Sequence, residues 1–261
     1  MLDACNGEFH LERLANGWLV GRFAALEALG VAHGVTTRQG PDGQQVRETP
    51  GIAGREIAQV LGLDDAAYLE QVHGGAVVVC EKGGCAGFAD GLVTTTRGLA
   101  LVGKSGDCPI LLIADTGGRA VGFAHASWGA TVAGIAPAVV RRMAALGCRP
   151  DELVACICPA VGPCCYEIGP EVRAAALDGI GLWAETFFRP GPRGRLHFDL
   201  WRANAEALLR AGVTSTSIHL SGVCTMCRND LFPSHRREGG RAGRFAAVLG
   251  RSAAAPPDVI G

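Results

Sequence analysis

Glycine sets the scale of every element this chain can form. Thirty-eight of its 261 residues are glycine, and they interrupt the apolar runs at short intervals. Glycine lacks a Cβ, populates positive φ freely and weakens helix and strand interiors. The chain therefore reads as many short strands with a few helices between them. Trp18 to Phe23, Val31 to Thr36, Ala67 to Val72, Ala76 to Cys80, Gly91 to Thr95 and Leu99 to Val102 have the composition of strands. Pro41 to Gly51 reads as a polar loop and Gly83 to Gly87 as a turn.

Ile110 to Asp115 is an apolar run, turned by Thr116-Gly117-Gly118 into Ala120 to His125. Two apolar runs joined by a glycine turn predict a hairpin. Helices are predicted over Gly54 to Leu61, Thr131 to Leu146, Pro170 to Leu177 and Leu200 to Ala211. Further strands are expected at Leu153 to Cys158, Leu196 to Asp199, Ser215 to Leu220 and Phe245 to Leu249, with a loose tail over 252–261. No repeat or linker divides the sequence. The expectation is one α/β (α+β) domain over 1–261, with mixed, largely antiparallel sheet.

Composition excludes more than it identifies. Twenty-four basic and 25 acidic residues leave a formal net charge of −1. That balance gives no reason to expect nucleic acid or an anionic membrane as partner. Leu99 to Ile113 is apolar but too short to span a bilayer, and Lys104, Asp107 and Pro109 interrupt it. The first residues lack the pattern of an export signal, so a cytoplasmic protein is expected. Eleven cysteines, an odd number without an export signal, point to reduced thiols rather than a disulfide scaffold.

Three segments hold groups that can bind metal or do chemistry: Gln71-Val72-His73-Gly74, Gly106-Asp107-Cys108-Pro109 and Ala124-His125-Ala126. The hairpin would bring Cys108 and His125 to one mouth. With His73 they supply the three ligands of a catalytic zinc site that keeps an open position. The same pair could instead be a thiol nucleophile with its histidine base. The residues alone leave both readings open. A multicopper oxidase site needs many histidines, commonly as His-x-His, and this chain has seven with no such pair. Cys224-Thr225-Met226-Cys227 has the spacing of half a zinc site or a redox pair. No second Cys-x-x-Cys occurs, and Cys164-Cys165 has unsuitable spacing. Basic residues gather at His235-Arg236-Arg237, Arg241 and Arg244, with Arg38 and Arg55 as further candidates for an anion site.

Together these segments resemble the bacterial YfiH-like proteins, also called peptidoglycan editing factor or laccase-domain proteins. The resemblance rests on His33-Gly34-Val35-Thr36-Thr37-Arg38, Glu70-Gln71-Val72-His73-Gly74, Ala89-Asp90-Gly91, Asp107-Cys108-Pro109, His125 with Trp128, Gly162-Pro163-Cys164-Cys165-Tyr166-Glu167, Cys224-Thr225 and Phe232-Pro233-Ser234-His235-Arg236-Arg237, in that order. It implies a four-layer α/β/β/α sandwich and a metal, zinc or else copper, held by His73, Cys108 and His125. It also implies Arg38, Arg55 and Gln71 as substrate or anion contacts. The implied activities are purine nucleoside phosphorolysis (adenosine, inosine, methylthioadenosine) and adenosine deamination. Hydrolysis of wrongly built peptidoglycan precursors is a third, and a polyphenol oxidase label also attaches to the family. The partners would be a nucleoside and phosphate, and the chain a monomer or homodimer. Gly129 stands where the family usually has arginine, and Gly54 where it has asparagine, departures that leave a divergent, non-catalytic metal-binding protein as a further alternative.

Overall fold

The computed structural model describes residues 9–253. Its strands are β1 (Phe9–Arg13), β2 (Leu19–Phe23), β3 (Val31–Thr36), β4 (Asp65–Glu70), β5 (Val77–Val79), β6 (Gly84–Phe88), β7 (Gly91–Thr94) and β8 (Leu99–Ser105). They continue as β9 (Ile110–Asp115), β10 (Val121–His125), β11 (Leu153–Ile157), β12 (Glu167–Ile168), β13 (Phe188–Pro190), β14 (Leu196–Phe198), β15 (Ile218–Leu220) and β16 (Phe245–Arg251). The helices are α1 (Ala24–Ala28), α2 (Gly43–Glu48), α3 (Pro50–Val60), α4 (Trp128–Val132), α5 (Ile135–Ala144), α6 (Pro170–Gly179), α7 (Leu200–Arg210) and α8 (His235–Glu238).

Seven strands form one sheet in the order β1-β2-β3-β16-β8-β4-β6, and six form a second in the order β15-β11-β9-β10-β7-β5. A small sheet, β12-β14-β13, stands apart. Most pairings are antiparallel; β4 runs parallel to β6 and β8, β5 to β7, and β11 to β15. The mixed, largely antiparallel α/β fold expected from the sequence is the fold found.

Alternation within single strands explains how the sheets stack. In β9, Ile110, Leu112 and Ala114 enter one core while Leu111 and Ile113 enter another. In β16, Phe245, Ala247 and Leu249 share that first core, and Ala246 and Val248 turn to a third. Successive side chains of a strand point to opposite faces, so a strand apolar at every position is covered on both. The first core lies between the two large sheets, where Phe23, Leu69 and Leu101 meet Leu92, Ile110 and Phe123. The second packs the six-stranded sheet against Ile135, Val139 and Met143 of α5 and Leu208 of α7. The third packs the seven-stranded sheet against Ala53, Ile57 and Ala58 of α3.

Some elements differ from the sequence reading. The segment 41–51 is helical rather than a loop, holding α2 and the start of α3. Asp42 caps α2 by accepting from the Gln44 N–H at 2.9 Å. Val46 is its one buried side chain, too little for an apolar periodicity to register. Residues 83–87 are mostly strand β6, an edge strand of small residues held by backbone pairing to β4. The helix expected over 131–146 is two helices. Gly134, at φ 76°, breaks them in a conformation disfavoured for a residue with a Cβ. Of the expected tail, residues 254–261 lie outside the described residues.

This topology gathers the chemistry at strand ends. β4 runs into Gln71 and His73, β7 starts just after Asp90, and β10 ends at His125. The connection from β8 to β9 crosses between the sheets and carries Gly106, Asp107, Cys108 and Pro109. Among the described residues, no helix is long and apolar enough to cross a membrane.

One buried histidine couples the fold to pH. His33 Nδ1 hydrogen-bonds the Val31 carbonyl at 2.9 Å, while Nε2 accepts the Phe23 N–H at 2.9 Å. Only a neutral ring can accept there. Burial pushes its pKa down to about 4 from 6.5, against the pull of the Val31 carbonyl. The unfolded ring binds a proton near pH 6.5 and the folded one only near 4, so stability held above 6.5 is lost as pH falls through this window. The loss is on the order of 3 kcal/mol. Urea midpoints compared at about pH 7 and about pH 4.5 should fall less in His33→Gln than in the native chain; equal falls would rule out His33 as the source.

Candidate functional site

Asp90 is fully buried and accepts hydrogen bonds from two directions. Its Oδ1 takes His125 Nδ1 at 2.8 Å. Its Oδ2 takes the backbone N–H of Gly74 at 2.7 Å and that of Val72 at 3.2 Å. Its carbonyl also accepts the His125 N–H at 2.7 Å. Burial alone would raise the Asp90 carboxyl, but the bonds from His125 and Gly74 outweigh it and hold the group below its ordinary range. One carboxylate thus fixes both the His125 ring and the loop that carries His73.

That loop is strained. His73 has φ 62°, the sole positive value outside glycine among the described residues. A β-carbon disfavours this conformation, and such residues gather at functional sites. The two Asp90-bound N–H groups flank His73 and hold it there. Its ring meets the His125 ring edge-on, with centroids 4.9 Å apart.

His73, Cys108 and His125 each present a ligand atom, and these atoms lie within 4.8 Å of one another. The donor set fits a metal such as zinc, which takes imidazole nitrogen at about 2.0–2.1 Å and thiolate at about 2.3 Å. An ionised Asp90 can only accept, so His125 carries its proton on Nδ1 and leaves Nε2 with a free lone pair. Desolvation also lowers the His125 pKa, despite Asp90, which keeps the ring neutral. Cys108 tells the same story from the other side. Desolvation, and next the neighbouring Asp107 charge, push its thiol up to about 12. Without a cation beside it this sulfur stays protonated at neutral pH, and a bound metal would have to displace that proton, since the thiolate is the ligand.

The three residues line a cavity of about 470 Å³. Gln71, Val161, Tyr166 and Leu200 line it too, as do Arg47, Lys104, Arg236 and Arg244. Hydrogen bonds from these cations go to neutral carbonyls. Arg47 donates to Gly240 and Ala242, Arg244 to Ala242 and Gly243, Lys104 to Arg47, and Arg236 to Glu167. None of these bonds goes to a carboxylate, although Arg236 also lies over the Tyr166 ring, 5.2 Å from its centroid, and Asp107 acts on Arg244 through charge alone. Burial lowers the Arg244 pKa, and Arg47 lowers it further by repulsion. An anion between these two would relieve both effects.

The anion candidates read from the sequence divide. Arg236 and Arg244 line the cavity, whereas Arg38 and Arg55 are not among its lining residues. Arg38 is bonded to Glu238 and to the Asn229 carbonyl. Glu238 in turn accepts the Ser234 N–H at 2.8 Å, bracing the turn into α8 that delivers His235 and Arg236. Arg55 is exposed on α3. Gln71 lines the cavity with its amide committed, donating to the Lys104 carbonyl and accepting the Lys104 N–H, both at 2.9 Å. Gly129 lies in α4 beneath His73, where a Cβ would sit 3.1 Å from the His73 carbonyl oxygen.

Sequence reasoning overlooked Asp90, Arg47 and Lys104. A lone carboxylate opening the apolar strand Gly91-Leu92-Val93 was the signal for Asp90, since an unpaired buried charge is costly. Replacing Asp90 by Asn removes the charge that orients His125 and leaves one acceptor oxygen for both His125 and the N–H groups of Val72 and Gly74. Zinc affinity, measured by competition with a chromogenic chelator, should fall about 10- to 100-fold with the circular dichroism unchanged. An unaltered affinity would show that Asp90 does not organise the ligands.

The comparisons agree with this architecture. A family described as Multi-copper polyphenol oxidoreductase laccase matches residues 35–252. A protein of Deinococcus radiodurans named purine nucleoside phosphorylase is 36% identical over 239 residues, 85% of this chain and 90% of its own length. One named adenosine deaminase RL5, from an unknown prokaryotic organism, is 32% identical over 200 residues, 72% of this chain and 76% of its own. The crystal structure of the hypothetical protein YfiH from Bacillus licheniformis superposes with a TM-score of 0.80 at 26% identity, covering 93% of this chain and 99% of that one. Among the described residues, His73 and His125 are the only histidines grouped so that they could share a metal ion, well short of a multicopper centre. By its matched length and its fold, the chain belongs to the laccase-like family that includes the YfiH proteins.

Proposed function

We propose that this protein is a zinc-dependent enzyme of purine nucleosides, cleaving adenosine, inosine or methylthioadenosine with phosphate and deaminating adenosine. The carrying observation is that one cavity joins His73, Cys108 and His125 to four cations whose hydrogen bonds go to carbonyls. The names of the relatives from Deinococcus radiodurans and the unknown prokaryote support the same two activities.

In this reading His73, Cys108 and His125 hold the zinc, which when bound supplies Lewis acidity. Arg47, Lys104 and Arg244 hold phosphate near the sugar, and Arg236 extends the positive wall. A phosphate oxygen attacks the anomeric carbon as the bond from that carbon to the purine nitrogen breaks. The base leaves with the bonding pair and gains the proton that the attacking hydrogen phosphate gives up. Val161, Tyr166 and Leu200 give the base an apolar wall. Arg38 acts at a distance, bracing the α8 turn through Glu238. The location expected for such an enzyme is cytoplasmic.

A thiol hydrolase acting on peptidoglycan precursors would use the same Asp90, His125 and Cys108 in line. The aspartate–histidine pair suits that reading, but a thiol pushed up to about 12 does not.

Zinc-loaded protein should release hypoxanthine from inosine only when phosphate is present, and ammonia from adenosine without it. No turnover of either substrate would defeat the proposal. Arg244→Gln should raise KM for phosphate about 10- to 100-fold, as losing a charged hydrogen bond does. An unchanged phosphate KM would remove Arg244 from the anion site.

A further inference from the structure

Against the half-site at Cys224-x-x-Cys227 lies the adjacent pair Cys164 and Cys165.

 It was the missing half in the sequence reading, because neighbouring cysteines do not have the usual ligand spacing. The fold supplies what spacing could not. Ala160 pairs in parallel with Cys224, and the Thr225 N–H donates to the Ala160 carbonyl at 3.0 Å, which seats one loop on the other.

We propose that Cys164, Cys165, Cys224 and Cys227 form a second metal site, taking a thiolate-preferring ion such as zinc and clamping the two loops behind the cavity. Their four sulfurs lie within 4.8 Å of one another. Cys227 Sγ is 3.7 Å from Cys164 Sγ and 3.5 Å from Cys165 Sγ. Sulfurs around a tetrahedral zinc, each at about 2.3 Å, stand about 3.8 Å apart. A single disulfide would account for only one of the two approaches to Cys227. The loops are also shaped for close approach. A Cβ at Gly162 would lie 2.9 Å from Trp201, 3.1 Å from the Cys224 Cβ and 3.2 Å from the Cys164 sulfur.

The surroundings suit thiolates. The Gly162 N–H points at Cys224 Sγ from 3.2 Å, and an N–H donor favours the charged sulfur. Arg189 donates to the Pro163 carbonyl at 3.2 Å and Arg237 to the Met226 carbonyl at 2.9 Å, each beside a ligand pair. They offset the excess negative charge of four thiolates on a divalent ion. Cys224 is buried, Cys165 half-buried, and Cys164 and Cys227 exposed, so an ion can reach the site. The ion would act on the cavity through neighbours of its ligands. Tyr166 follows Cys165 and lines the cavity. Thr225 follows Cys224, and its hydroxyl donates to Asp107 at 2.6 Å, next to Cys108.

The test uses the full chain, reduced, stripped of metal and titrated without oxygen. Zinc should load to about two ions per chain, and cobalt should show the intense near-ultraviolet sulfur-to-metal band of a tetrathiolate site. Cys164→Ser with Cys227→Ser should lose about one ion and that band. His73→Ala with Cys108→Ser should lose the other ion and keep the band, which tests the cluster without touching it. A native chain that takes about one ion, with none left in the His73 and Cys108 variant, would overturn the proposal. So would a tetrathiolate band that survives in the Cys164 and Cys227 variant.

Discussion

The site depends on one buried carboxylate. Asp90 lies in the interior at the start of β7, where a bare charge would be costly. It is tolerated because all its oxygens are used: one by His125, the other by the N–H groups of Val72 and Gly74. Those bonds set the His125 tautomer and hold His73 at a positive φ. Two imidazoles from different sheets are thereby locked to a common support. Cys108 arrives separately, on the connection that crosses from β8 to β9, with the Ser105 hydroxyl bonded to its carbonyl at 2.6 Å.

The electrostatics of the cavity follow from what the surrounding groups lack. Arg47, Lys104, Arg236 and Arg244 approach from separate stretches of chain, and carbonyl oxygens hold them in place. A carbonyl orients a guanidinium without cancelling its charge. Asp107, the carboxylate nearest Cys108, is occupied by the Thr225 hydroxyl and the Arg236 N–H, each at 2.6 Å. The result is a basic wall facing His73, Cys108 and His125.

How much of this was legible in the sequence depended on distance along the chain. The β9–β10 hairpin was readable because its turn and both apolar runs are local, and it placed His125 opposite Ile110, close to Cys108. β3 and β11 were equally plain. Helix α2 was not, since six residues with one buried side chain give no period to detect. Asp90 was quoted as part of a motif without a role, because its partners come from the β4 loop and from the end of β10. Arg47 sat in what looked like a loop. Cys164 and Cys165 looked unrelated to Cys224 and Cys227, about 60 residues away, until the Ala160–Cys224 bridge joined them. Arg236 and Arg244 were visible as a basic cluster, while Arg38 and Arg55 shared the charge but not the cavity.

The place of β16 has a consequence for the order of assembly. This strand comes last among those described, yet it lies in the middle of the seven-stranded sheet, bonded to β3 on one side and β8 on the other. During synthesis the earlier strands must wait with a gap between them, and contacts so distant along the chain close slowly. Arg244 immediately precedes β16. The strand that seals the sheet therefore also carries in the last cation of the cavity, so a nascent chain cannot complete the basic lining of that cavity until the fold itself is complete.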